Sequence, residues 1–580
     1  MKQRYAFNNI KHLYLSLLPA QIFSFVTSSL SGIVNGLVIG NYLSNLDMIA
    51  LGFVSPLVQI VSVFSTIVSS GARIVCGKYI GRGDNKRINQ TFTTTITVLI
   101  CFGLLLTILG LTCSIPIAKI IANVETTERT AAYIKGLSIG MLPTTLIPCL
   151  MVFLQMRNEN TYALISTLLL AVSNLIICLA VIEYIGLDIF GIGLVTSISQ
   201  FITLGFIIIR FYMVKTLPRF EKCTEKLLRD IMIFGLPTAL SSLLYGFRNG
   251  ILLKLASSVY GVAAVNALSI LNSSCGPFDA VNIGVGATAL MLASIYIGEK
   301  DSDSLIILSK VAITIGIIIC SIKTIFIYFF AGDIARLFGA TAGVVKEMTS
   351  NLYIAYGLCM PLNVIPLVII NTYQAFGKIT YCNVILLFTT MIFPLSFAYF
   401  GKALIGINSI WYCYTAAEIF IFIFIYVIAC CVKKRLITNL EDLLILDNKI
   451  KVGKHISISI KTMDEVINVS KRVQDYCLSE KIDKNRSYIS GLCVEEIAAN
   501  IIEHGFTKSK KKNNEIDIFV DVDKGNVKIR IKDNAVAFDP HIKINNEDPT
   551  TNIGIKMVSK LAKEMNYQND FGLNVLIISI

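Results

Sequence analysis

The sequence predicts a membrane all-α protein of twelve transmembrane helices in two six-helix repeats, followed by a cytoplasmic α+β domain. Three observations predict it: a composition outside the soluble range, an internal repeat, and a change of pattern after Lys433-Lys434-Arg435. Of 580 residues, 54% are hydrophobic and 15% charged, with a mean hydropathy of +0.69; ordinary soluble domains carry about 25% charged residues.

The spans are read from apolar runs near 13-40, 50-76, 92-115, 133-156, 161-182, 189-213, 231-255, 262-297, 306-331, 348-373, 380-400 and 406-431. Each holds roughly twenty residues or more, enough to cross a hydrocarbon core of about 30 Å as a helix. The first run ends in no small-residue cleavage site and another span follows it, so it reads as a helix and not as a signal peptide. Lys and Arg are retained on the inner side of a membrane. Placing the N-terminus inside puts roughly twenty basic residues on inner segments, among them Lys2, Arg4, Lys11 and the GRGDNKR loop, against about six outside. Both termini are therefore expected to be cytoplasmic. This topology absorbs most of the net charge of +13, and no nucleic-acid partner is needed. The 15 cysteines scatter through apolar segments without CxxC spacing and read as small hydrophobes.

At an offset of about 217 residues, KYIGRGDNKR (78-87) aligns with IYIGEKDSDS (295-304). Leu18-Pro19 pairs with Leu236-Pro237, Asn35-Gly36 with Asn249-Gly250, and Gln155 with Gln374. Six helices per half is an even number, so the halves run parallel about an axis along the membrane normal. That arrangement suits a secondary transporter with one site between two bodies; a relic of duplication in a scaffold or receptor is the alternative.

VNGLVIGNYLSNLDMIALGFVSP, SSGARIVCGKYIGRGD, FLQMRNENTYALISTLLLAVSNLIICL and GIGLVTSISQF resemble successive helices of the multidrug and toxic compound extrusion (MATE) family, over about residues 10 to 432. The resemblance implies an antiporter that exports a small organic compound in exchange for H⁺ or Na⁺. Many members carry Asp where this chain has Asn35, and an amide cannot release a proton there. Charges inside the spans are costly and mark function or pairing. Arg248, Asp279 and Glu418 lie well inside. Arg248 and Asp279 would form a structural ion pair, or Arg248 would line the cavity and favour an anionic or zwitterionic substrate. Glu418 is the remaining candidate for ion coupling. Arg73, Lys254 and Lys323 lie nearer the ends and would snorkel.

The division expected is 1-215 and 216-435 for the two bundles, 436-452 for a linker and 453-580 for the tail. In the tail HISISI, EIDIFVDV and VKIRIK alternate as half-buried strands, and 464-478, 488-504 and 555-565 have helical character. In CVEEIAANIIEHGF, Cys493, Val494, Ile497, Ala498, Ile501 and Ile502 share one face, while Glu496, Asn500 and Glu503 form a narrow stripe beside it. Asp533 follows a strand, and Gly554 opens a helix whose N-H groups suit phosphate. EExxxN at 495-500, DNAVAFDP at 533-540 and IGIKMVSKLAKEMNYQNDFGLNVLIISI at 553-580 resemble the GHKL ATPase superfamily, nearest its anti-sigma-factor serine kinase branch. That likeness implies an α+β sandwich binding ATP and Mg²⁺, with Glu496 as general base, Asn500 as Mg²⁺ ligand and Asp533 as adenine reader. Ala535 and Ala537 stand where glycines are usual, adding methyls where backbone approaches the nucleotide. KSKKKNN (508-514) reads as a charged lid or surface loop, or as a contact for phosphate or anionic lipid.

Two functions follow. One is a MATE-type antiporter in a bacterial inner membrane whose tail binds ATP and regulates it. No GxxxxGK[ST] loop is present to make ATP the driving force. The other is a membrane-tethered serine/threonine kinase acting on an antagonist-type protein partner, with the helical body as its sensor.

Overall fold

The structure, a computed structural model, describes residues 9–27, 29, 45–184, 188–213, 220–338, 340, 343–444, 454–509, 514–523, 525–536, 539, 553–570 and 573–580. A helix over 9–27 covers the first part of the first expected span, 13-40, of which residues 28 and 30–40 lie outside the described residues. Among the described residues ten further helices are long and apolar enough to cross a membrane, and the bent pair Val124–Ile139 and Met141–Met156, 46° apart, makes an eleventh. The seventh and eighth expected spans divide differently from the apolar runs. Glu225–Ser274 is continuous in its hydrogen bonding but breaks at Gly261, where φ is +73°, and the next helix begins at Gly276. Side chains such as Ile176, Ile209, Ile322, Phe329, Phe400 and Ile423 are exposed on the outer surface. The helices satisfy their own backbone, so this surface is matched by lipid.

The repeat is visible atom by atom in its turns. The Asn45–Arg82 helix is followed by Gly83 at φ +75°, and Asp84 accepts a hydrogen bond from the Arg87 N-H at 3.0 Å. At the equivalent place Gly276–Glu299 is followed by Lys300 at φ +60°, and Asp301 accepts from the Ser304 N-H at 2.9 Å. Each carboxylate satisfies an orphan donor at the start of the next helix. A second pair of turns repeats in the same way at Asn158 (φ +63°) and Gly377 (φ +85°).

The two bundles meet through glycines. A Cβ on Gly81 would lie 2.2 Å from the Ile295 carbonyl oxygen, and a Cβ on Gly298 would lie 2.2 Å from that of Lys78. These contacts are each other's image under the repeat. Further along the seam, Gly71 faces the Ile231 carbonyl and Gly235 the Ile67 carbonyl, each at 1.8 Å from a notional Cβ. The end of the molecule beside the tail is therefore closed by backbone-to-backbone contact between the halves.

In the tail, β1 (Lys454–Ile460), β2 (Ile516–Asp523), β3 (Asn526–Asp533), β4 (Glu564–Asp570) and β5 (Leu573–Ser579) form one antiparallel sheet in the order β1-β2-β3-β5-β4. Helices Met463–Ser479, Lys484–Asn500 and Ile553–Leu561 cover one face, packing Val466, Val473, Cys493, Val494 and Ile497 on Ile518, Val520, Ile529 and Ile531. Thr462 and Glu465 close a capping box at the first of these helices. The last helix is shorter than the pattern 555-565 suggested. It stops at Leu561, and Glu564 already pairs in β4.

Gly235→Val should overpack the seam by about 1–3 kcal/mol and lower the thermal unfolding midpoint of the detergent-solubilised chain by several degrees. Gly250→Val, where a Cβ meets nothing within 4 Å, should cost nothing in the same scan.

Candidate functional site

The second bundle holds a buried polar chain that begins on Gly276–Glu299. Asn282 sits at its centre: its Oδ1 accepts from Lys323 Nζ at 2.5 Å, and its Nδ2 donates to the Met360 carbonyl at 2.9 Å and to Asn363 Oδ1 at 3.3 Å. Asn363 Nδ2 then donates to Glu418 Oε1 at 2.9 Å. A cation and a carboxylate are thus joined through two amides. Glu418 is buried, and its Oε2 has no hydrogen-bond partner among the described residues. A buried carboxylate oxygen without a partner is costly unless a proton or a cation occupies it. Lys323 does not snorkel as its position suggested, because its ammonium is also held by the Phe278 carbonyl at 2.8 Å.

Arg248 and Asp279 have separate partners. Arg248 is buried, with its guanidinium 4.5 Å from the Tyr245 ring centroid and 4.7 Å from that of Tyr414, and it donates to Asn249 Oδ1. Two aromatic faces stabilise a cation where water is scarce. Asp279 accepts from the Tyr356 hydroxyl at 2.6 Å, and the Tyr356 ring meets Tyr414 edge-on at 5.2 Å. No ion pair joins Arg248 to Asp279 among the described residues. Asn35 lies outside the described residues.

In the tail, the apolar face of Lys484–Asn500 is buried at Cys493, Val494, Ile497 and Ala498, and burial pushes the Cys493 thiol up to about 12. Glu496 and Asn500 stand beside that face, both half-buried. The Asn500 amide nitrogen donates to the Glu496 carbonyl at 2.7 Å, which leaves its carbonyl oxygen as the coordinating atom of that side chain. The helix widens into a π-turn over Ile501–Phe506, and Glu503 and His504 are exposed there. The Glu496 carboxylate lies close against Gly554: a Cβ there would lie 2.0 Å from Glu496 Oε2 and would displace that side chain. Glu496 and Gly554 are thus brought together across the site.

Asp533 ends β3 and is buried. Its Oδ1 accepts from the Ala535 N-H at 2.9 Å and from Asn574 Nδ2 at 2.8 Å. Asn574 also donates to the Val536 carbonyl and accepts from the Tyr567 hydroxyl at 2.7 Å and from Asn569 Nδ2 at 2.8 Å. Sequence reasoning missed Asn574, Asn282 and Asn363. The signal for Asn574 is an isolated amide in the apolar strand LNVLIIS, opposite Asp533 in the sheet register. Ala535 takes no positive φ and packs against Gly505, where a notional Cβ would lie 3.0 Å from its methyl. The glycine is on the opposing π-turn, so the alanine is accommodated by its neighbour. Ala537 lies outside the described residues. An amide oxygen at Asn500, a buried carboxylate at Asp533 and a glycine-lined helix start at Gly554 fit a nucleotide with its divalent ion.

Comparison with known proteins agrees with both halves. The MatE family matches residues 20–180 and 237–400, and the histidine kinase-like ATPase domain matches 461–580. The probable multidrug resistance protein YoeA of Bacillus subtilis is 24% identical over 364 residues, covering 60% of this chain and 76% of that protein. The multidrug export protein MepA of Staphylococcus haemolyticus is 27% identical over 262 residues, 44% of this chain and 57% of its own length. Among solved structures, a MATE protein in complex with MaD3S superposes with a TM-score of 0.66 at 18% identity, over 73% of this chain and 97% of that one. An outward-facing multidrug resistance MATE family transporter of the MOP superfamily superposes at 0.64 and 17% identity, over 72% and 94%. The two six-helix repeats, closed on each other at reciprocal glycines, and the match over both of them place the chain in the MATE family of membrane transporters, with a histidine kinase-like ATPase domain joined to its second bundle.

Proposed function

We propose that the protein is a secondary antiporter of a bacterial inner membrane, with both termini cytoplasmic, that exports a small organic compound in exchange for H⁺ or Na⁺. Its tail binds ATP with Mg²⁺ and regulates transport. In this reading residues 1-215 and 216-435 are the two transporting bundles, 436-452 the linker and 453-580 the regulatory domain. The observation that carries the transport reading is Glu418 Oε2, unpartnered among the described residues, at the end of the Lys323-Asn282-Asn363 chain. A site of this kind exchanges a proton or a cation as access alternates, because the orphan oxygen is satisfied only when one is bound. Arg248, buried between Tyr245 and Tyr414 with no carboxylate partner among the described residues, adds positive potential to the same bundle. That potential supports an anionic or zwitterionic substrate over a cationic one. Asp279 and Asn35 are the further candidates for the cavity.

For the tail, Asn500 would complete the coordination of Mg²⁺ and Asp533 would accept from the adenine amino group, held in place by Asn574. The first-turn amides near Gly554 would face phosphate. Glu496, whose carboxylate sits against Gly554, favours a second reading in which the tail transfers the γ-phosphoryl to a serine or threonine of an antagonist-type protein.

Calorimetric titration of Mg-ATP into the full chain should show binding that Asn500→Ala and Asp533→Asn each weaken tenfold or more, the loss of one charge-assisted contact of about 1.5–3 kcal/mol. No binding to the unsubstituted chain removes the nucleotide reading. Trp411 is the one tryptophan of the chain and precedes the helix that carries Glu418. Its fluorescence should respond to Na⁺ or to pH in the reconstituted protein, and Glu418→Gln should abolish that response. An unaltered response moves ion coupling elsewhere.

A further inference from the structure

The Asn45–Arg82 and Gly276–Glu299 helices end at repeat-equivalent residues, and each presents terminal carbonyls that no N-H of its own helix satisfies. A helix C-terminus is partly negative and favours cations. The outer face of β3 brings three. Val527, Ile529 and Ile531 point into the domain core, so Lys528, Arg530 and Lys532 occupy the alternate positions. Lys528 Nζ donates to the Arg82 carbonyl at 3.0 Å. Arg530 donates through Nη1 to the Glu299 carbonyl at 3.3 Å and through Nη2 to the Gly81 carbonyl at 3.1 Å. Lys532 Nζ pairs with the Glu299 carboxylate at 2.5 Å. Around them Gln568 donates to Asn85 Oδ1 at 3.1 Å, and Lys300 pairs with Asp523 at 3.4 Å. Arg530 is 5% exposed.

The geometry points to β3 as a clasp whose binding surface is the pair of helix ends and neither end alone. One guanidinium is bonded to both bundles at once, and this is satisfied only while Gly81 and Glu299 lie within the width of its fork. They do so because the glycine seam is closed. Opening that end of the transporter would separate the two carbonyls, leave a buried Arg530 with half its partners and uncap one helix. The tail therefore binds the closed conformation of this end in preference to the open one, and transport requires its release. β3 ends at Asp533, so the strand that holds the bundles on its outer face carries the expected adenine reader on its inner face. Coupling to nucleotide rests on the function proposed above; the clasp does not.

Hydrogen exchange of the full chain in lipid nanodiscs without nucleotide tests it. Arg530→Ala should raise exchange by about tenfold in residues 79–84 and 296–301 together, while residues 493–498 keep their protection and report an intact tail. Lys532→Glu should loosen the same two segments, and adding Glu299→Lys should restore them. Unchanged exchange in either segment overturns the clasp. Saturating Mg-ATP that binds without altering either segment overturns the coupling and leaves the clasp supported. Absence of ATP binding removes the nucleotide reading, and the exchange of the variants still decides the clasp.

Discussion

The reciprocal approach of Gly81 to the Ile295 carbonyl and of Gly298 to the Lys78 carbonyl is the constraint on which the rest of the structure depends. Only residues without a Cβ let two helices meet at this distance, and the repeat supplies one from each half. The contact brings the ends of the Asn45–Arg82 and Gly276–Glu299 helices together. Each helix must then stop at once, through a residue with positive φ and an aspartate cap for the next helix. The same geometry leaves two sets of terminal carbonyls side by side at the surface. A basic strand that spans both can satisfy them, and β3 is such a strand.

The second bundle solves a different problem, that of keeping charge inside a membrane. It does so with amides: Asn282 and Asn363 each donate and accept, and so pass polarity from Lys323 to Glu418 without placing the two charges in contact. Arg248 is handled by aromatic faces instead. Neither device neutralises its charge as a direct ion pair would. On the proposed function such a site benefits from this, since a tight internal pair would compete with the coupling ion for the carboxylate.

Much of the architecture was legible because it is written in periodicity. The apolar runs gave the spans apart from the division of the seventh and eighth, the recurrence of Tyr, Ile, Gly and Asp gave the repeat, and alternation gave β1, β2 and β3. Strands β4 and β5 were not legible. KLAKEMNYQND continues a helical pattern until Glu564 pairs with Ser579, and that pairing is decided by sheet contacts remote in sequence. Asn574 was hidden for a related reason: its role exists only through the register that sets it opposite Asp533. The alternation in VKIRIK gave the buried face of β3 but no role for Lys528, Arg530 and Lys532 on its other face, since such a face on a strand is ordinarily solvated. The partners of Lys528 and Arg530 are main-chain carbonyls of another domain, which carry no sequence signal, and that of Lys532 is Glu299, remote in sequence. Ala535 looked like a defect in the nucleotide loop because the compensating Gly505 lies on a separate turn.

On the proposed function, the arrangement also bounds what the tail can do. Nucleotide binding can shift the transporter only by the difference in its affinity for clasped and released states. The connection runs along one strand, from Asp533 to Arg530, and no large rearrangement of the domain is built into it. Coupling of this kind is typically about 1–3 kcal/mol, a 5- to 150-fold bias. That is sufficient to change how often the closed end opens and too small to carry a substrate against a steep gradient. Such a domain acts as a brake on a transporter whose work is done by the ion that Glu418 takes up and releases.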